Sequence, residues 1–208
     1  MSLDDRPSAA SGFSAVFRRF NPYGSPFQPM VPARLLVYAD PAEANLWGLN
    51  DADLGSLVAA ADDRDLERVF VSLADPEHSE LDEGHYVLSP LSVESYTRTH
   101  PTEAWPIVPH AIYPPSGHWG AISSDESHVL VGGSQRFIDD FEAGLGRSQD
   151  DMIAAWLEER AGHQDRDPDG GLHIGDWILA QLAHVVGPER AEAALSASRL
   201  RRWDPPAK

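Results

Sequence analysis

The chain has no cysteine and a single lysine, Lys208. Without thiols there are no disulfides, no thiolate metal sites and no cysteine nucleophile. Basic charge is also scarce: 16 Lys and Arg stand against 33 Asp and Glu, a formal net charge of -17. From Val69 to Gln135 the only basic residue is Arg98, set against Asp75, Glu77, Glu80, Asp82, Glu83, Glu94, Glu103, Asp125 and Glu126. A surface built from that stretch repels phosphates, so no nucleic acid is expected there, whereas a basic protein partner or a cation is attracted. Long apolar runs are missing too. Trp177–Ala183 falls far short of the ~20 residues of a spanning helix, so no membrane partner is expected. The first residues carry no basic segment followed by an apolar one, and a cytoplasmic location is expected.

What is present is globular: 208 residues, 42% hydrophobic and 24% charged, with aromatic residues that need burial. Residues 1–12 read as a frayed polar tail. Ser14–Phe20 reads as a helical turn with Phe13, Val16, Phe17 and Phe20 on one face. Four prolines make 21–32 a loop. Strand patterns follow at Arg34–Ala39, Arg68–Leu73 and Gly84–Ser89, with a helix that Asp51 caps and that runs through Ala61, and a short one over Ser92–Thr99. Prolines at 106, 109, 114 and 115 predict an irregular or extended segment. His118–Ser123 and His128–Gly132 form the best hairpin pattern.

Ser134 caps a helix to about Leu145, and Ser148 caps another that Gly162 ends. A polar loop, Ile174–Val186 and Glu189–Ser198 complete the chain. Strict strand–helix alternation is absent. The pattern predicts an α+β fold, a small mostly antiparallel sheet with flanking helices and a helical C-terminal extension. The expected divisions are a flexible segment over 1–31, a core over 32–146 and a helical region over 147–208.

Three groups of residues invite chemistry. Asp165, Asp167 and Asp169, then Gly170, Leu172 and Asp176, resemble an EF-hand calcium loop, with a dockerin-type Asp at the twelfth position. The resemblance covers 12 residues and implies calcium held by Asp165, Asp167, Asp169 and Asp176. The same residues also suit a polar turn that caps the next helix. His118 and His128 begin the two hairpin strands, with Asp125 and Glu126 near the turn. Acid–base catalysis of hydrolase type could use either histidine with either carboxylate. Antiparallel pairing separates the two histidines by a strand length, which speaks against a shared metal. Gly132-Gly133-Ser134 before a helix offers an anion site, or simply a turn and a cap.

The tract over 109–141, with His110-Ala-Ile-Tyr113-Pro-Pro-Ser-Gly117-His-Trp119-Gly120 and Val131-Gly-Gly-Ser134, resembles uncharacterised bacterial proteins similar to toxin-immunity proteins. That resemblance implies a non-enzymatic interaction module and supplies no catalytic residues. The leading expectation is therefore an acidic protein-interaction module. Calcium binding and a hydrolase-type enzyme are the alternatives.

Overall fold

A computed structural model of the protein describes residues 5–38, 49–73, 85–99, 109–166 and 176–201. The fold is α+β. Six strands, β1 (Ala33–Tyr38), β2 (Val69–Ser72), β3 (His85–Leu88), β4 (Ala111–Tyr113), β5 (Trp119–Ser123) and β6 (His128–Gly133), form one sheet in the order β1-β6-β5-β4-β2-β3. Every neighbouring pair is antiparallel.

Both faces of the sheet are buried, and the strands alternate between two cores as their period of two requires. Leu35, Val37, Val71, Ile112, Ala121 and Val131 face the first core. There they meet α2 (Asp51–Ala60) through Leu54 and Leu57, and α5 (Gln135–Leu145) through Phe137, Ile138 and Phe141. Leu36, Phe70, Tyr113, Ile122 and Leu130 face the second core. It is covered by α1 (Arg6–Val16), α6 (Gln149–Arg166), α7 (Asp176–Val186) and α8 (Pro188–Ala197). The helices α6 and α7 pack on β1. The short helices α3 (Asp63–Leu66) and α4 (Val93–Thr99) flank β2 and β3 in sequence.

Residues 6–12 are not a frayed tail. Pro7 sits in the first turn of α1, where its missing N–H costs nothing, and Ala9 and Phe13 are buried against the sheet. The helix therefore ends at Val16 rather than reaching Phe20, and Phe17 turns extended. A glycine pair in register, Gly120 on β5 opposite Gly132 on β6, makes room for this segment. A Cβ at Gly120 would lie 2.8 Å from the Phe17 ring, and one at Gly132 2.7 Å from the Phe27 ring. The two rings stack at 5.4 Å over that trench.

Two local expectations are corrected, and the extended alternative for the proline-rich segment is sharpened to a strand. Asn50 rather than Asp51 caps α2, accepting from the Asp53 N–H at 2.8 Å. The segment between Pro109 and Pro114 is a strand, β4, because three residues suffice to pair with β2 and β5. Gly162 does not stop α6, which runs on to Arg166. A mid-helix glycine costs only about 1 kcal/mol. The turn beyond it is held by His163 to Glu159 at 2.8 Å and by Gln164 to the Arg201 backbone.

The exposed edge of β1 is closed by a side chain. The Gln149 amide accepts from Leu36 N at 2.9 Å and donates to Leu36 O at 3.1 Å, standing in for a neighbouring strand.

Candidate functional site

The four described histidines that border the strands fall into two environments at the two ends of the sheet. At one end, His85 begins β3, His110 precedes β4 and His128 begins β6. All three are buried, and each bonds a buried serine through Nδ1: His85 to Ser72 at 2.9 Å, His110 to Ser123 at 2.9 Å, His128 to Ser124 at 2.8 Å. Ser72 also meets the Tyr113 hydroxyl at 2.7 Å, and His110 Nε2 meets the Tyr96 hydroxyl at 2.5 Å. His128 Nε2 faces the Gln181 amide at 2.5 Å and Pro22 O at 3.2 Å, and its ring lies 4.8 Å from that of Trp156. Burial pushes the His128 imidazole down to about 4, so the ring is neutral near pH 7. These serines have no accessible hydroxyl, which removes them as nucleophiles.

Asp125 and Glu126 are not partners of a catalytic histidine. Asp125 accepts from the Tyr23 hydroxyl, and burial with this carboxylate raises the phenol's pKa. Glu126 pairs with the buried Arg160 guanidinium, which also meets Glu159 at 2.6 Å. Trp156 Nε1 donates to Glu126 O at 3.0 Å. Burial brings Arg160 down to about 10, still charged at neutral pH. The group ties the β5–β6 turn to α6. His128 is thereby removed as a surface base.

The opposite end of the sheet differs. His118 immediately precedes β5, and its side chain is 72% exposed. Its Nδ1 lies 3.1 Å from Oδ2 of Asp65 on α3, a carboxylate that is only 9% exposed. Ser116 Oγ donates to the other oxygen, Asp65 Oδ1, at 2.7 Å, and also accepts from His118 N at 3.3 Å. Asp65 therefore fixes the imidazole with Nδ1–H as donor and leaves Nε2 as the available acceptor.

His118 and Asp65 line a cleft of about 310 Å³ with Asp62, Trp119, Ser134, Arg136, Phe137 and Asp140. Its far wall is the N-terminus of α5, capped by Ser134 Oγ, which accepts from Phe137 N at 3.2 Å. The next N–H groups, of Gln135 and Arg136, lie in the first turn, where a helix supplies no internal acceptor. Three carboxylates stand against one guanidinium here, and Arg136 is already 3.5 Å from Asp140.

The β5–β6 register keeps His118 and His128 apart. Trp119 pairs with Gly133 and Ser123 with Val129, so the two histidines lie at opposite ends of the hairpin. The sequence offered no pointer to Asp65, which lies 53 positions away in a short acidic helix.

The calcium-loop residues are divided. Asp165 lies in the last turn of α6, 3.3 Å from Arg199 and 3.2 Å from Arg201. Asp176 is the first residue of α7, while Asp167 and Asp169 lie outside the described residues. Among the described residues no group of three or more His, Asp or Glu side chains is placed to hold a metal. Of the acidic stretch, Glu94 pairs with Arg98, and Asp125 and Glu126 point inward as above. Asp75, Glu77, Glu80, Asp82, Glu83 and Glu103 lie outside the described residues.

An apolar groove of about 360 Å³ also runs between α6 and α8, floored by Ile153 and Leu157 and walled by Ala193, Ala194 and Ala197. No described helix is long and apolar enough to cross a membrane. Compared with known proteins, the chain matches no family model, no curated protein and no solved structure.

Proposed function

We propose that the protein is a hydrolase-type enzyme in which His118, oriented by Asp65, acts as general base and acid in the cleft beside α5. The observation that carries this reading is the 3.1 Å contact between His118 Nδ1 and the largely buried Asp65, which leaves Nε2 facing solvent. A carboxylate behind an imidazole holds the tautomer and stabilises the imidazolium that forms when Nε2 takes a proton. Ser116 is not the nucleophile, because its hydroxyl donates to Asp65, on the far side of the relay from Nε2. Water is the nucleophile this arrangement activates.

The test is initial-rate hydrolysis of a panel of acyl and phosphoryl chromogenic esters by the wild type and His118→Ala. General acid–base groups contribute about 10²–10⁴-fold. At least one ester is expected to lose about a hundredfold in the variant. Equal rates across the panel would remove the reading.

A second reading, an interaction module for a basic protein partner, draws support from the net charge of -17 and from Asp62 and Asp140 at the cleft. Its check is a pull-down at physiological salt with Asp62→Asn plus Asp140→Asn as control, where undiminished capture contradicts this surface. Calcium binding through residues 165–176 requires Asp165 to leave Arg199 and Arg201. Calcium titration calorimetry on wild type and Asp165→Ala decides it, and no wild-type heat ends it.

A further inference from the structure

We infer that the cleft selects acyl esters that carry a positive charge on the acyl side, such as esters of a blocked arginine, with Asp62 and Asp140 as the residues that set this preference. The inference rests on the acid–base reading of His118 and adds the substrate class. The dyad supplies the chemistry, and the charge around it supplies the selection. Asp65 has both oxygens engaged, Oδ1 by Ser116 and Oδ2 by His118, so it is not available to a substrate. Asp62 precedes α3, makes no side-chain cap bond and is exposed on the cleft wall. Asp140, one turn into α5, faces the same space beside Arg136. A phosphoryl ester would bring negative charge to three carboxylates. A guanidinium or ammonium group on the substrate meets them favourably.

The step balances without any further reagent. A water held at His118 Nε2 gives its proton to that nitrogen as its oxygen bonds to the acyl carbon. The C=O π pair moves onto the carbonyl oxygen. Its negative charge develops beside the positive end of the α5 dipole, where Ser134 and Arg136 line the cleft. The pair returns, the bond from carbon to the alkoxy oxygen breaks, and the leaving alcohol takes the proton back from the imidazolium. Ester and water become acid and alcohol, and Asp65 stays ionised throughout.

The experiment compares kcat/KM of the full chain on the ethyl esters of N-acetyl-arginine and N-acetyl-norleucine at low salt. It uses wild type, Asp62→Asn, Asp140→Asn and His118→Ala. Exposed ion pairs are weak, so the arginine ester is expected to be preferred about fivefold, less in either Asn variant. That preference should shrink in about 1 M NaCl, where the screening length is about 3 Å. Equal kcat/KM on the two esters, both lost in His118→Ala, overturns the charge selection while leaving the acid–base reading intact. Hydrolysis of neither ester above the His118→Ala rate overturns the inference, and the ester panel then decides the wider reading separately.

Discussion

The two ends of the sheet use the same residue types to opposite effect. At the end defined by His85, His110 and His128, each imidazole is enclosed, bonded to a buried serine and, for His128, held neutral by burial. At the other end His118 has a serine and a carboxylate behind it and water in front. An enclosed imidazole specifies packing, because every polar atom must find a partner or cost about 1–3 kcal/mol. A half-anchored one has a free nitrogen with which to exchange protons. The contrast teaches that a histidine's use is set by which of its nitrogens the fold occupies.

Substitution at each end separates the two roles. Loss of His118 should reduce turnover about a hundredfold and, by leaving Asp65 Oδ2 without its partner, cost about 1 kcal/mol of stability. His128→Ala should spare turnover and cost more stability. It leaves Gln181 and Ser124 without their partner and opens a cavity, for a loss of about 2–4 kcal/mol in urea unfolding.

The pH dependence of stability follows from the same residue. The folded-state value for His128 lies at about 4, below the ordinary 6.5. Between those values the unfolded chain binds the proton and the folded chain does not. The contribution is therefore complete above pH 6.5 and is lost as the pH falls towards 4, by about 3 kcal/mol in all. Burial also lowers His184 to about 4, and that ring stacks on Phe27 and accepts from Phe27 N at 3.3 Å. Urea midpoints at pH 7, 5.5 and 4.5 should fall in sequence, and His128→Gln should flatten the fall. A wild-type midpoint that does not change over this range contradicts the assignment.

Smaller effects probe the scaffold between the two ends. Gly132→Ala drives a methyl into the Phe27 ring and should cost about 1–3 kcal/mol by thermal melting. Gln149→Ala uncovers the N–H and C=O of Leu36 at the β1 edge and should cost about 1–2 kcal/mol. Ser116→Ala removes one of the two bonds to Asp65 and should lower turnover by less than His118→Ala does.

Much of this architecture is legible in local pattern. The hairpin from His118 to Gly132, the strand at Arg34 and the Ser134 cap follow from alternation and capping, and each forms close to where it is expected. The misses share a cause, namely tertiary contacts overriding a local signal. Gly162 reads as a stop because its own propensity is poor, yet the Arg201 backbone bonds Gln164, 37 residues before it, and holds the helix past the glycine. Residues 6–12 read as a tail because nothing in them shows that a glycine trench on distant strands receives Phe17 and Phe27.

The site divides in the same way. His118 stood out as a strand-start histidine, but its carboxylate did not. Asp125 and Glu126 are close in sequence and engaged elsewhere, whereas Asp65 is remote in sequence and close in space. Sequence separation cannot rank such pairs. Only the placement of α3 beside the start of β5 does so.

The most direct test sets the two ends against each other in one assay. Ester hydrolysis is measured for wild type, His118→Ala and His128→Ala, each at a temperature where circular dichroism shows the variant folded. His118→Ala is expected to lose about a hundredfold in rate while folded His128→Ala retains wild-type turnover. Retention of wild-type turnover by His118→Ala would contradict the account.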